Sequence, residues 1–246
     1  MLKNFYVSLV IPCRNEARAL QTVLEILPKE IDEVIVVDNN SKDNTRNVAK
    51  KFGAKVLTEK RTAKNGIGYG FALQKGINEA KGQIIVCMDG DGSYPIKRVA
   101  NAINYLLKNN YDLLSCNRLP FRNPKNMSSI RSLGVKILNT YAWFLFGYKI
   151  EDSLSGMWVF KKSSVKELGL SEGGWNMSLE IKLKTIVNNK LKFGEYKIPY
   201  HDRVFDVSKQ SIYETGVEHM LYLTRFKTNL IWQGLLNLKP SFGVQH

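Results

Sequence analysis

The feature that most constrains the fold is an alternation of short apolar runs and helical segments between residues 6 and 115. Residues 6–11 form a β-rich run stopped by Pro12, and residues 17–27 then carry Leu20, Val23, Leu24 and Leu27 at helical spacing. The unit recurs: a strand over 33–37 and a helix over 48–52 closed by Gly53, a strand over 55–57 and a helix over 71–80, a strand over 84–88 and a helix over 96–108, then a strand over 112–115. Parallel strands need crossovers, and a crossover helix packs back on the sheet, so this alternation predicts an α/β fold: a mostly parallel sheet with helices on both faces. At 246 residues the chain is long enough for one large domain of this kind, or for one domain with a small appendage.

Ligands of such sheets bind in the crevice beyond the carboxyl ends of the strands. Three polar loops, 12–16, 38–45 and 89–94, therefore belong to one wall. The third is the most informative, because the run Ile84-Ile-Val-Cys-Met88 ends abruptly in Asp89-Gly90-Asp91-Gly92, with no Lys or Arg inside the tetrad. Two carboxylates so placed can converge on one hard cation through oxygen ligands. Asp and Gly are also the commonest turn residues, so the tetrad alone equally describes a loop. Asp38 ends the second strand, where a carboxylate can cap the following helix, although Ser41 or Asp43 could supply that cap instead.

Beyond Arg118 the alternation breaks down. A Pro- and Asn-bearing loop over 119–129 leads into a helix over 130–146 that carries Tyr141, Trp143, Phe144 and Phe146. No acidic residue occurs from 113 to 150, whereas Arg118, Arg122, Lys125, Arg131, Lys136 and Lys149 do, which suits an anionic interface or a core helix with a solvated basic edge. Asp152-Ser-Leu-Ser-Gly156 precedes a strand-like run over 157–160; 179–187 reads as helix and 198–205 alternates like a strand. Residues 212–238 read as an amphipathic helix or helix pair, fit to pack on the domain or to lie in a bilayer interface. The division expected is a catalytic-type domain over 1–210 and a helical appendage over 211–246, in contact with a membrane surface, an anchoring partner or an oligomer mate.

The net charge of +14 implies an anionic partner: phosphorylated substrate, acidic membrane surface or nucleic acid. Cys13, Cys87 and Cys116 are odd in number and widely spaced, which argues against a disulfide framework and points to a reducing, cytoplasmic setting. The first residues run straight into a strand pattern, and no stretch of about 18 uncharged apolar residues suggests a spanning helix. His201, His219 and His246 have no partner at metal-ligand spacing.

Taken together and in order, Val7-Ser-Leu-Val-Ile-Pro-Cys-Arg-Asn-Glu16, Val37-Asp-Asn-Asn-Ser-Lys-Asp-Asn-Thr45 and Met88-Asp-Gly-Asp-Gly-Ser93 resemble the motifs of the family-2 glycosyltransferases of the GT-A fold. Asn117-Arg118, Asp152 to Gly156, Glu180 and Ile198-Pro-Tyr-His-Asp-Arg-Val-Phe-Asp-Val-Ser-Lys209 are similar to segments of the polyprenyl-phosphate sugar transferases, the dolichyl-phosphate mannose synthase type. The resemblance spans roughly residues 5–210. It implies a nucleotide-sugar site drawing on Pro12, Arg14, Asn15, Glu16, Asp38, Asn40, Ser41, Asp89 and Gly90; a Mg²⁺ or Mn²⁺ site at Asp89 and Asp91; and Arg118, Arg131, Arg203, Ser208 and Lys209 around an acceptor phosphate. Asp152, Arg203 and Lys209 are the catalytic candidates, although Asp152 also reads as an ordinary cap or turn residue. The family pattern has Gly before the Ser-Lys pair and tighter spacing after Arg; here Phe205-Asp206-Val207 fills that gap. Gly66, Gly68 and Gly70 resemble the family's glycine-bearing turn before a helix, and Glu180 reads equally as a solvated helix-face residue.

The function expected is inverting transfer of a hexose from a nucleotide sugar, a UDP-sugar before GDP-mannose, to polyprenyl or dolichyl phosphate at the cytoplasmic face of a membrane, with the protein bound peripherally. The alternatives are a relative that uses a glycan, protein or other lipid as acceptor, and a basic nucleic-acid-binding module. For the last, charge is the only support, because the basic residues are spread over many elements, so no nucleic-acid partner is expected.

Overall fold

The structure, a computed structural model, describes residues 5–64, 66–119, 129–200 and 211–234. Seven strands form one sheet: β1 (Val7–Cys13), β2 (Glu33–Asp38), β3 (Lys55–Thr58), β4 (Ile84–Cys87), β5 (Leu113–Asn117), β6 (Trp158–Lys161) and β7 (Phe193–Lys197). Their spatial order is β3-β2-β1-β4-β6-β5-β7, and every pairing is parallel except those of β6, which runs antiparallel to both neighbours. The helices are α1 (Ala17–Leu24), α2 (Thr45–Lys51), α3 (Tyr69–Glu79), α4 (Val99–Lys108), α5 (Ser129–Phe146), α6 (Lys162–Lys166), α7 (Met177–Val187) and α8 (Ile212–Trp232). A 3₁₀ turn, Ile96–Arg98, introduces α4, where the sequence pattern had one continuous helix.

All of β1 is buried, and its alternate residues feed two cores. Leu9 and Ile11 join Leu20, Ile103 and Leu106 on one face, while Val10 packs with Leu73, Ile77 and Ile181 on the other. Covering both faces is why these strands read as continuous apolar runs instead of alternating ones. A third cluster joins Leu138 and Ala142 of α5, Leu179 and Leu183 of α7, and Tyr222 and Leu223 of α8.

One strand falls elsewhere than expected. The strand beside β5 is Phe193–Lys197, paired in parallel, and not the alternating stretch 198–205. Pro199 has no N–H to give a ladder, and residues 198–200 carry no regular structure; 201–205 lie outside the described residues. Among the described residues, no helix is long and apolar enough to cross a membrane.

Candidate active site

The C-terminal ends of β1 and β2 lie side by side, with Cys13 opposite Asp38. The loops that leave them interlock. The Asn15 N–H donates to Ser41 Oγ at 2.9 Å, the Lys42 N–H to Asn15 Oδ1 at 2.7 Å, and the Glu16 N–H to Thr45 Oγ1 at 3.0 Å. Asp43 accepts from the Ala17 N–H and the Thr45 N–H, both at 3.0 Å, and so caps the starts of α1 and α2. Asp38 is thereby released from capping: fully buried, it accepts from Arg46 Nε at 2.6 Å and from the Ser41 N–H at 3.3 Å. Asn15 and Asn40 adopt φ of 53° and 59°, a left-handed backbone that asparagine tolerates better than most side chains.

Asn39 fastens a further loop. Its amide donates to the carbonyls of Glu59 at 2.8 Å and Arg61 at 3.0 Å and accepts from the Gly68 N–H at 2.7 Å. A Cβ on Gly68 would stand 2.0 Å from the Arg61 carbonyl oxygen, so only glycine allows this approach at the start of α3.

β4 pairs with β1 on the side away from β2, so the strand order reverses there and a crevice opens between their carboxyl ends. A pocket at this point is lined by Pro12, Arg14, Glu16, Asn39, Tyr69, Asp89, Gly90, Asp91 and Trp175. Gly90 lets the acidic turn lie against β1, since a Cβ there would come within 2.8 Å of Cys13 Sγ. Asp89 accepts from the Tyr69 hydroxyl at 3.0 Å, and the buried Asp91 accepts from the Ser93 N–H at 3.0 Å and Ser93 Oγ at 2.5 Å. Burial, then the Asp89 charge, push the Tyr69 phenol well above its ordinary value, so it stays a donor to that carboxylate. Hard oxygen donors on alternate residues of a tight turn fit Mg²⁺ or Mn²⁺. Among the described residues no group of three or more His, Cys, Asp or Glu gathers as a metal cage. A cation held by the two aspartates would therefore draw its other ligands from water and a bound phosphate, as Mg²⁺ commonly does.

The second half of the chain reaches the same crevice through the segment between α5 and β6. A Cβ on Gly156 would lie 3.3 Å from both Asp89 carboxylate oxygens and 2.8 Å from the Tyr69 hydroxyl, so this backbone packs directly on the acidic turn. The Gly156 N–H also donates to the Tyr94 hydroxyl at 2.6 Å. Four residues earlier in the same segment, Asp152 accepts from the Arg118 N–H at 3.0 Å, Arg118 Nε at 2.7 Å and Arg118 Nη2 at 2.9 Å. The guanidinium sits 5.1 Å over the Tyr200 ring, which meets the Tyr94 ring in a T-shaped contact. Burial alone would raise the Asp152 carboxyl, but the Arg118 guanidinium overrides it and, with Lys182 beyond, holds it below the usual carboxylate range.

Lys182 supports this segment from below. Fully buried on α7, its ammonium donates to the carbonyls of Asp152 at 3.1 Å, Ser153 at 2.7 Å and Ser155 at 2.9 Å, one acceptor for each of its protons. Burial pulls it down to about 7, against the opposing charges of Asp152 and Glu195. Glu195 of β7 completes the support by accepting from the N–H groups of Glu151 at 2.7 Å and Asp152 at 3.0 Å.

Of the residues singled out in the sequence, Pro12, Arg14, Glu16, Asp89, Gly90 and Asp91 thus line one pocket. Asn15, Asp38, Asn40 and Ser41 belong to the loop network behind its wall. Arg118 and Asp152 form a buried pair, and the Arg131 side chain, Arg203, Ser208 and Lys209 lie outside the described residues. Glu180 is not a solvated face residue: only 1% exposed, it accepts from the Ser171 and Glu172 N–H groups at 3.0 and 2.8 Å and pairs with Lys184. Asn39 and Tyr94 fell within the wall loops without an individual role, and Tyr69, Trp175 and Lys182 were not singled out. Tyr94 follows the Asp89–Gly92 tetrad after one serine, and Lys182 stands out as a lysine between Ile181 and Leu183, signals that were there to be used.

The family model for glycosyl transferase family 2 matches residues 8–169, a span that includes both wall loops, the acidic turn and the Asp152–Gly156 segment. The chain belongs to glycosyl transferase family 2. As a family-2 glycosyltransferase it is an enzyme of the GT-A fold. It is similar to the dolichyl-phosphate hexose transferase of Haloferax volcanii, with 25% identity over 80% of this chain and 83% of that protein. It is also similar to a UDP-N-acetylglucosamine–dolichyl-phosphate N-acetylglucosaminyltransferase of Methanococcus voltae, with 28% identity over 66% of this chain and 72% of that protein. Among solved structures, glucosyl-3-phosphoglycerate synthase of Mycobacterium tuberculosis shares the fold, with a TM-score of 0.69, 17% identity, and coverage of 92% of this chain and 81% of that one.

Proposed function

We propose that this family-2 enzyme moves a hexose from a nucleotide sugar, a UDP-sugar before GDP-mannose, to a polyprenyl or dolichyl phosphate, using Mg²⁺ or Mn²⁺ held by Asp89 and Asp91. The observation that carries this reading is the packing of Gly156 on Asp89, because it joins the donor-side carboxylates to the segment that pairs with Arg118. The activities of the Haloferax and Methanococcus relatives support the acceptor, and the synthase of similar fold was solved with Mn²⁺ and UDP.

Asp89 and Asp91 would hold the cation, which would supply Lewis-acid stabilisation to the diphosphate leaving group. The chain's own residues do the rest. The 12–16 and 38–45 loops hold the nucleoside, with the buried Asp38 bracing them from within through Arg46 and the Ser41 N–H. Tyr69 fixes the orientation of Asp89. The acceptor phosphate is largely ionised near neutral pH, its second pKa being about 6, so its oxygen attacks the anomeric carbon without a general base. The new C–O bond forms as the bond to the diphosphate breaks, and the configuration inverts. A carboxylate held below its ordinary range by a guanidinium is a poor base, so Asp152 serves here by orienting Arg118. Arg203, Ser208 and Lys209, with Arg131, are the further phosphate contacts, since a guanidinium fork grips phosphate bidentately and lysine adds a point charge.

A polyprenyl acceptor lives in a bilayer, which gives the basic excess and the apolar exposed positions a use. Trp143, Phe144, Leu221 and Trp232 are 54%, 80%, 65% and 88% exposed on α5 and α8. We take these helices to rest on an anionic leaflet at the cytoplasmic face, where each nearby Lys or Arg adds about 1 kcal/mol. The test is Lys209→Ala with a short polyprenyl phosphate. The KM for the lipid should rise several-fold while that for the nucleotide sugar stays put; equal changes in both contradict the acceptor assignment.

A further inference from the structure

We propose that the indole of Trp175 is the platform on which the hexose ring of the donor lies, and that it distinguishes a sugar conjugate from the bare nucleotide. The inference rests on reading the pocket as a nucleotide-sugar site. Trp175 and Tyr69 line this pocket beside Asp89 and Asp91, their ring centroids 4.7 Å apart and tilted by 32°. Tyr69 in turn donates to Asp89. A diphosphate held at the two aspartates carries its hexose directly on the outer phosphate, so the sugar cannot lie more than a few bonds from these rings. A hexose has a hydroxyl rim and a face of C–H bonds. The negative face of an indole is the flat apolar surface that such C–H bonds match.

Trp175 packs against the core and on Tyr69 without being enclosed by them. Trp158, which serves the core, is fully buried, whereas Trp175 is only partly buried and keeps surface in the pocket. Its loop is tied to the start of α3. The N–H groups of Gly70 and Phe71 donate to the Gly173 carbonyl at 2.9 and 3.2 Å, and Gln74 Nε2 donates to the Glu172 carbonyl at 2.8 Å. A Cβ on Gly70 would stand 2.1 Å from the Glu172 oxygen, and one on Gly173 would stand 2.2 Å from the Phe71 ring. Two glycines therefore bring this loop onto the start of α3, and an aromatic held on so rigid a support is ready to receive a ligand without further ordering cost.

The test compares Trp175→Leu, which keeps an apolar contact with Tyr69 but loses the flat face, with Trp175→Phe, which keeps a face. Titration calorimetry with Mg²⁺ would use UDP-glucose, UDP-N-acetylglucosamine and GDP-mannose against UDP and GDP. For the conjugate that the unaltered protein binds best, Trp175→Leu should weaken affinity about tenfold, or about 1.4 kcal/mol, and Trp175→Phe less than threefold. Affinity for the matching nucleoside diphosphate should change less than twofold in both, which also certifies that the variants fold. Equal losses for conjugate and diphosphate, unchanged conjugate affinity in Trp175→Leu, or an effect confined to the KM of the lipid acceptor overturns the platform role alone. If the unaltered protein binds none of these nucleotides, the reading of the pocket falls as well.

Discussion

Replacing Asp152 with asparagine keeps the shape of the side chain and removes the charge that faces Arg118. The carboxylate is fully buried, the arginine is 9% exposed, and three hydrogen bonds of 2.7 to 3.0 Å join them, so little solvent is at hand to compensate the guanidinium left behind. Removing one member of a buried pair costs about 3–5 kcal/mol, chiefly because the other charge stays buried. For a chain of this size that lowers the melting temperature by about 6–20 °C. The acid limb should change too. Because the folded Asp152 is held below its unfolded value of about 3.9, the unfolded state binds more protons in that window, so this contribution is complete above about pH 4 and fades as pH falls through the folded value. Asp152→Asn should flatten that part of the stability profile. The assay is urea unfolding of both proteins from pH 2.5 to 7, beside the double variant Arg118→Met/Asp152→Leu, which should regain much of the loss by removing both charges. A loss below about 1 kcal/mol at pH 7 in the single variant would refute the reasoning, because exposed pairs behave that way.

Asp91→Ala should lower metal-dependent turnover by about 10²–10³-fold, the scale of removing one preorganised group that stabilises developing charge; near-normal transfer, with circular dichroism intact, would contradict the cation assignment. Phe144→Ser combined with Trp232→Ser, both at exposed positions, should leave the melting temperature within about 1 °C and reduce sedimentation with phosphatidylserine vesicles several-fold. Unchanged sedimentation would remove these helices from the membrane contact.

The sheet was legible because parallel strands buried on both faces leave continuous apolar runs, and each run between residues 6 and 115 became a strand with its helix. The three loops were legible for the same reason, since topology alone sends the ends of β1, β2 and β4 to one edge. What local pattern could not show depends on long-range packing. The strand at Phe193–Lys197 is set by its partner β5 and not by its own alternation. Glu180, with Lys182 and Lys184 following it, read equally as a solvated face residue, yet the chain folds back so that Ser171 and Glu172 donate to it. The support of the 152–156 segment by Lys182 and Glu195 spans 30 and 43 residues of sequence, which periodicity does not reach. The pairing of Arg118 with Asp152 has a separation of 34 residues and became visible only with both elements in place.

One crevice, on this proposal, binds a nucleotide sugar at Asp89 and Asp91 and delivers its hexose to a lipid phosphate. The most direct measurement is transfer by the purified protein of radiolabelled hexose from UDP-glucose, UDP-N-acetylglucosamine or GDP-mannose to a short polyprenyl phosphate, with Mg²⁺, Mn²⁺ or EDTA. We expect one donor to yield a polyprenyl-phosphate sugar of inverted configuration, with product abolished by EDTA and by Asp91→Ala. Transfer that persists in EDTA, or label that passes to glycan or protein acceptors and never to the lipid phosphate, would contradict it.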